Sequence, residues 1–204
     1  QTTGGGYTEA RNLTIVTEGN SSAAIRSDRG GGTVIVKGGS FKTGGSGSPA
    51  IYSTADIRVE GADLLATSSE GAVIEGKNSI SLKDSTLDGH MNAVCKMGDR
   101  TMTEENVHTV MIYQSMSGDA EKGRSDFSME GSTLHSRAGD VIYVTNTDCN
   151  IKLKDTEITS DDADGALLFV VGNSASRGWG KKGANGGNAD VLLENEKINR
   201  SQTV

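Results

Sequence analysis

Apolar and polar residues alternate along many short segments of this chain, and a six-residue phrase recurs at the end of these segments. The phrase begins and ends with an apolar residue. Its third position is Gly, Asp or Asn, and the second, fourth and fifth positions vary. It occurs at 36–41, 59–64, 82–87, 129–134, 153–158 and 193–198. Successive copies lie 23, 23, 47, 24 and 40 residues apart, which predicts an array of similar units with insertions.

Each phrase closes a segment with a period of two, as in 55–59, where Ala55, Ile57 and Val59 alternate with polar residues. This alternation predicts a β-strand with one buried face. The last apolar residue of the phrase begins a further short strand. A third strand precedes each phrase, and its apolar pattern is found at 23–26, 49–52, 72–75, 93–96, 110–113, 140–143 and 166–169.

Three short strands in each unit are typical of a right-handed parallel β-helix, a solenoid in which like positions stack. We therefore expect an all-β fold of about seven coils of roughly 23 residues, forming a single domain over 1–204. An antiparallel sandwich would not explain why one position keeps its character from unit to unit. Because the chain stops soon after the sixth phrase, we expect a fragment of a longer protein with an incomplete C-terminal coil. Exposed coil ends are sheet edges, so self-association is also expected.

The composition agrees with many strands joined by tight turns: the chain has 28 Gly, one Pro and 4% aromatic residues. Its net charge is −7, and Lys and Arg do not cluster in a run. This argues against nucleic acid or an anionic membrane as a partner, because both require a concentrated basic surface. The alignment places Cys95 and Cys149 in different inward columns, which predicts two free, buried thiols rather than a disulfide.

Residues that follow the inward apolar position of the third strand are expected to form one outward column: Arg26, Tyr52, Glu75, Lys96, Tyr113, Tyr143 and Phe169. In that alignment Tyr113, Tyr143 and Phe169 lie on successive coils. Stacked aromatic rings provide a large contact surface for the apolar faces of sugar rings or for a peptide. The alternative is that these are ordinary strand residues covered by insertions.

A Gly-rich insertion at 172–188 carries the only Trp of the chain. Glycine permits backbone conformations that allow such a loop to reach a ligand. We therefore assign Trp179 to the predicted glycan site, with Arg177, Lys181 and Asn185 as hydrogen-bonding residues. The alternative is a solvated loop without a ligand.

Acidic turns indicate a candidate Ca²⁺ site at Asp140, Asp161, Asp162 and Asp164, since Ca²⁺ prefers carboxylate oxygens. The same turn does not match an EF-hand, because Ser160 and Val171 occupy two of the required ligand positions. A polysaccharide lyase needs a Lys or Arg base near carboxylates. The nearest such pair in the predicted outward column is Lys96 beside Glu75.

The segments 113–121, 142–150 and 172–188 resemble a family of β-helix domains from large exported or wall-attached proteins of anaerobic, mainly gut, bacteria. The family is commonly described as carbohydrate-binding or adhesin-like, and some relatives as binding plant cell-wall polysaccharide with Ca²⁺. The resemblance implies a secreted or cell-surface attached module whose solenoid continues beyond Val204. We therefore expect a non-catalytic module that binds a polysaccharide or host glycan. The alternatives are an adhesin for a host protein, a Ca²⁺-dependent polysaccharide lyase and a purely structural stalk.

Overall fold

The computed structural model describes residues 1–97, 99–104, 106–115, 120–172 and 186–201, with only the backbone of Cys95, Met97 and Met102. Nineteen strands, numbered in chain order, account for the regular structure of this part of the chain, and none of its residues is helical. Consequently it contains no helix long and apolar enough to cross a membrane.

The strands form two parallel sheets and one hairpin. The larger sheet has eleven strands: β1 (Tyr7–Thr17), β3 (Thr33–Thr43), β5 (Asp56–Ala66), β7 (Ser79–Lys83), β8 (Thr86–Gly89), β12 (Ser125–Glu130), β13 (Thr133–Ser136), β15 (Cys149–Lys154), β16 (Glu157–Ser160), β18 (Ala189–Glu194) and β19 (Lys197–Arg200). The smaller has six: β2 (Ile25–Arg26), β4 (Ile51–Ser53), β6 (Ala72–Glu75), β11 (His108–Tyr113), β14 (Asp140–Thr145) and β17 (Leu168–Val171). The hairpin consists of β9 (Val94–Met97) and β10 (Arg100–Thr103).

The predicted right-handed parallel β-helix, with about seven coils of three short strands, is wrong. The first half of β5 pairs with β7 and the second half with β8, so strands predicted in two separate columns belong to one sheet. The strands β1, β3 and β5 run through the phrase without a break. Period-two alternation does not distinguish one long strand from two short ones that share a buried face.

The segment 93–96, predicted as a copy of the third strand, lies in the antiparallel hairpin instead. The strand β6 pairs directly with β11, with Ala72 opposite Val110, so the smaller sheet has six strands rather than seven copies. The hairpin lies within the long spacing between the third and fourth phrases. It is therefore an insertion between units. Its apolar residues follow the same short pattern as the strands of the smaller sheet.

The phrase itself is explained by backbone conformation. Its third position has a positive φ in every copy: Gly38, Gly61, Asp84, Gly131, Asp155 and Asn195. Glycine adopts this left-handed region without strain, and Asn and Asp tolerate it better than other residues. A seventh copy, with Asn12 at φ 50°, occurs in β1 and was missed because Ala10 is a weak apolar signal.

Pairing registers confirm the columns that the aligned phrases predict in the larger sheet. Leu64 lies opposite both Phe41 and Leu87, and Leu134 lies opposite both Leu87 and Ile158. These side chains are buried together in the main core. Each unit therefore adds one side chain to a continuous apolar stack, which is the dominant stabilising contribution.

Small polar side chains are buried at the turns, next to the apolar stack. The Ser85 hydroxyl donates to the Lys83 carbonyl at 2.7 Å and accepts a hydrogen bond from the Ala62 N–H at 3.2 Å. The Ser132 hydroxyl repeats this arrangement, donating to the Glu130 carbonyl and accepting from the Ser85 N–H. Buried polar groups of the turns thus find partners in the neighbouring unit.

Candidate functional site

The predicted aromatic column is not formed, because the pairing of β11 with β14 differs from the alignment by two residues. Tyr113 lies opposite Thr145, whereas Tyr143 lies opposite Met111 and Phe169. Tyr113 and Tyr143 therefore belong to different columns. The prediction that the three aromatic rings share one outward column is wrong, since Tyr143 and Phe169 share a column that does not include Tyr113.

Burial further excludes two of the three rings from contact with a ligand. Tyr113 is 3% exposed and Tyr143 is fully buried, while Phe169 is 39% exposed. The Tyr143 ring stacks on His108 with centroids 4.7 Å apart, and Phe169 packs against its other side at a tilt. Tyr113 and Tyr143 thus belong to a second apolar cluster with Val73.

A buried carboxylate explains the position of Tyr113. Its hydroxyl donates to Glu75 Oε2 at 3.0 Å, and the Tyr52 hydroxyl donates to the same oxygen. Burial, followed by the neighbouring Tyr52 and Glu75, raises the pKa of the Tyr113 hydroxyl. The phenols are therefore neutral donors to Glu75. This cluster connects three strands, and its Tyr113 and Glu75 side chains are buried.

The predicted lyase pairing is also not assembled. Glu75 is buried on β6, whereas Lys96 is exposed and lies in the separate β9–β10 hairpin. Arg177, Trp179, Lys181 and Asn185, predicted to complete the glycan site, lie outside the described residues.

Two of the predicted Ca²⁺ ligands, Asp162 and Asp140, accept hydrogen bonds from backbone N–H groups of their own or the neighbouring turn. Asp162 accepts hydrogen bonds from the N–H groups of Gly139, Asp164 and Gly165. The hydrogen bonds from Gly139 and Asp164 lower the pKa of the Asp162 carboxyl most strongly. Burial opposes them, and the Gly165 hydrogen bond adds a weaker lowering effect. The Asp140 carboxylate accepts a hydrogen bond from the Ala166 N–H at 2.7 Å.

Asp161 faces a different partner, His135, whose Nε2 lies 2.9 Å from its Oδ2. Within the described ranges no three acidic, His or Cys side chains are placed to hold a metal ion. The prediction that Asp140, Asp161, Asp162 and Asp164 converge is therefore wrong: Asp140 and Asp162 bind backbone N–H groups, and Asp161 binds His135.

An open groove of about 370 Å³ lies where the turns before β7 and β12 meet the outer face of the larger sheet. We call it the polar groove. It is lined by Gly32, Ala55, Asp56, Lys77, Asn78, Ser79, Arg124 and Asp126.

Its floor is a row of polar side chains on neighbouring strands. Asp56, Ser79 and Asp126 lie side by side on β5, β7 and β12. The Ser79 hydroxyl donates to Asp56 Oδ1 at 2.7 Å. The next strand continues the row, with Asn150 Nδ2 donating to Asp126 Oδ1 at 2.7 Å. The Asp56 carboxylate is held by Ser79 and by an ion pair with Arg58, and the Asp126 carboxylate by Asn150. A carboxylate has about four acceptor sites, so both keep acceptor capacity.

Two basic residues stand beside this row. Arg124 donates to Asn150 Oδ1 at 2.9 Å and forms an ion pair with Asp190. Lys77 lies in the turn after β6, and its ammonium is 3.3 Å from Glu121 Oε1. Both basic side chains line the groove and are partly exposed.

The wall of the groove depends on a close contact between two turns. Gly76 has φ 67°, and a Cβ at this position would lie 2.5 Å from the Glu121 carbonyl oxygen. Only glycine satisfies both constraints. This contact places the turn that carries Lys77 against the turn that precedes Arg124.

The period-two alternation that ends in each phrase places Asp56, Ser79 and Asp126 on the outward face, but it does not mark them as a site. The signal was present in the phrase alignment, which puts the three residues in one column. A column of polar residues is also what an ordinary solvated strand face shows. The pattern of apolar residues does not reveal the turns that make this face concave.

No protein-family model matches the chain, and no curated protein or solved structure matches it significantly. The resemblance to β-helix domains of anaerobic bacteria therefore stays a prediction. Function must be argued from the geometry of the polar groove.

Proposed function

We propose that this chain is a non-catalytic glycan-binding module of a secreted or surface-attached protein, and that the polar groove is its site. The observation that carries the proposal is the row Asp56, Ser79, Asp126, Asn150 with Arg124 and Lys77 beside it. The row runs across the strands, in the direction in which the sheet repeats.

The spacing of the row suits a polymer with a regular repeat. Neighbouring strands are about 4.8 Å apart, which is close to the length of one sugar residue in an extended polysaccharide. A glycan that crosses the strands therefore meets a comparable group at each step. An open groove accommodates such a chain without requiring its end to enter a closed pocket.

The chemistry of the row suits hydroxyl groups. Sugar hydroxyls both donate and accept hydrogen bonds, so they need acceptors and donors side by side. Asp56 and Asp126 supply charged acceptors, while Arg124 and Lys77 supply charged donors, and such bonds are stronger than neutral ones. Because two acidic residues lie close to two basic ones, the groove favours a neutral polysaccharide over a strongly charged one.

A direct test compares two aspartates on the same strand. Asp56 and Asp63 both lie on β5, and each accepts a hydrogen bond from a hydroxyl of the next strand, Ser79 and Thr86 respectively. Only Asp56 lines the groove. A glycan array and affinity electrophoresis should detect binding for the wild type and Asp63→Ala, and a loss for Asp56→Ala. Absence of binding to any neutral plant or host glycan, or equal binding by the two variants, would refute the proposal.

A further inference from the structure

The row of polar side chains that forms the floor of the polar groove alternates between two kinds of residue. Five strand pairs are in register here, so each strand contributes one residue to the row. From β3 to β18 the row consists of Thr33, Asp56, Ser79, Asp126, Asn150 and Asp190. A carboxylate therefore lies on every second strand, and a hydroxyl or amide side chain lies on each strand between.

Hydrogen bonds divide the centre of the row into two similar pairs. The Ser79 hydroxyl donates to Asp56 Oδ1, and Asn150 Nδ2 donates to Asp126 Oδ1, both at 2.7 Å. Both donors act on the carboxylate of the preceding strand in the row. Asp126 is exposed, and the other three side chains are half-buried, so all four are accessible from solvent. The groove thus offers a similar oriented carboxylate once in every two strands.

The distance between these carboxylates corresponds to two sugar residues. Parallel strands lie about 4.8 Å apart, so equivalent positions on β5 and β12 are separated by about 9.6 Å. A polysaccharide that crosses the strands meets a carboxylate in the same way once in every two residues. This requires a straight chain whose own repeat is two residues, because a coiled chain leaves the line of the row after a few residues.

A β-1,4-linked hexopyranose chain has both properties. Its two glycosidic bonds are equatorial, so the chain is an extended ribbon in which each residue is turned over relative to the one before. Along one edge of the ribbon, the two neighbouring secondary hydroxyls of one residue alternate with the hydroxymethyl group of the next. By contrast, α-1,4-linked and β-1,3-linked glucans coil.

The two kinds of group on this edge match the two kinds of side chain in the row. Two neighbouring hydroxyls can donate to the two oxygens of one carboxylate, and such bonds to a charged acceptor are stronger than neutral ones. A single hydroxymethyl group needs one partner that both donates and accepts, which a serine hydroxyl or an asparagine amide provides. The match holds at each strand from Asp56 to Asn150.

We propose that the polar groove selects an extended β-1,4-linked hexopyranose polysaccharide, and this rests on the glycan-binding function proposed above. Asp56 and Asp126 bind the paired secondary hydroxyls of alternate sugar residues. Ser79 binds the hydroxymethyl group of the residue between them. The shortest ligand that reaches both carboxylates is therefore a trisaccharide.

Calorimetric titration with hexasaccharides that differ in linkage tests the selectivity. Cellohexaose, laminarihexaose and maltohexaose contain the same sugar in β-1,4, β-1,3 and α-1,4 linkage, and β-1,4-linked mannohexaose extends the comparison to a second hexose. At least one of the two β-1,4-linked ligands should bind about tenfold or more tightly than the β-1,3-linked and α-1,4-linked ligands, as expected for loss of a charged hydrogen bond.

Ligand length tests the spacing. In the series from disaccharide to tetrasaccharide of the preferred β-1,4-linked sugar, the largest gain in affinity should come with the third residue. Asp126→Ala should remove this gain. Asp63→Ala, which changes an aspartate of β5 that does not line the groove, should retain it.

The outcomes separate this proposal from the proposed function. Equal affinity for all linkages, or preference for laminarihexaose or maltohexaose, would overturn the selectivity while leaving the polar groove as a glycan site. A gain that is the same for each added residue, or that persists in Asp126→Ala, would overturn the spacing argument. Absence of binding to every glycan would refute the proposed function and this proposal with it.

Discussion

Tyr113 lies opposite Thr145 in the smaller sheet, two residues from the register that would place it beside Tyr143. A slip of one residue would turn every side chain to the other face, but a slip of two keeps all faces unchanged. The apolar pattern is therefore equally consistent with both registers. The difference decides whether Tyr113 belongs to an aromatic platform or to the buried Glu75 cluster.

The buried cluster predicts a stability effect without a binding effect. Tyr113→Phe removes one of the donors to Glu75 and should lower the free energy of unfolding by about 1–3 kcal/mol, the cost of a buried polar group that loses a partner. Urea unfolding measures this. Tyr7→Phe, at an exposed tyrosine, is the control and should change stability by less than about 0.5 kcal/mol. Equal stabilities of the two variants would show that the Glu75 bond contributes nothing.

The positive φ of the phrase predicts a second stability effect. At Gly61 a Cβ would meet no atom within 4 Å, so any cost of substitution comes from φ 66° alone. Gly61→Ala should destabilise the protein by about 1–2 kcal/mol. Gly61→Asn should cost less, since Asn occupies the same position at 12 and 195. Thermal or urea unfolding of both variants decides this, and an Ala variant as stable as the Asn variant would contradict it.

Much of the larger sheet was predictable because each phrase combines two buried apolar residues with a residue that tolerates positive φ. Those three constraints fix the alignment, and the columns through Leu64 and Leu134 follow from it. The smaller sheet has no such anchor between 23–26 and 166–169. Its register was consequently assigned by similarity of short apolar segments, and the hairpin at 94–103 was mistaken for one of them.

The site was harder to predict than the strands. Outward orientation of Asp56 and Asp126 follows from alternation, but the groove exists only because the turns at 76–78 and 121–124 project beside them. Conversely, Tyr143 points away from the main core and is still buried, because it packs with Val73 and Met111 of neighbouring strands in a second apolar cluster. Alternation separates the two faces of a strand and says nothing about what lies on the outer one.

Acid sensitivity follows from Asp162. Backbone N–H groups lower the pKa of its carboxyl in the folded state, so its contribution to stability is complete above the unfolded pKa and is lost as pH falls through the folded value. Urea unfolding should therefore show stability falling below about pH 4, with a smaller fall in Asp162→Asn than in the wild type. Asp164→Asn is the matched control, because the turn bonds end on Asp162. An unchanged pH dependence in Asp162→Asn would contradict this account.

Cys149 is predicted to be unreactive in the native state. It is a free, buried cysteine, and burial raises the pKa of its thiol to about 11. The thiolate is the reactive form, so iodoacetamide at neutral pH should not modify it until the chain is unfolded. Peptide mass mapping, which reports on each cysteine separately, would show the modification. Rapid labelling of Cys149 in the folded protein would contradict its placement.

The most direct test of the central claim is calorimetric titration of a neutral polysaccharide identified on the array into three variants. Asp126→Ala removes one of the two carboxylates that line the groove and should weaken binding at least about tenfold, as expected for loss of charged hydrogen bonds. Asp63→Ala and Tyr113→Phe should bind like the wild type. Unchanged affinity in Asp126→Ala, or loss of affinity in Tyr113→Phe without loss of folding, would contradict the assignment of the polar groove as the glycan site.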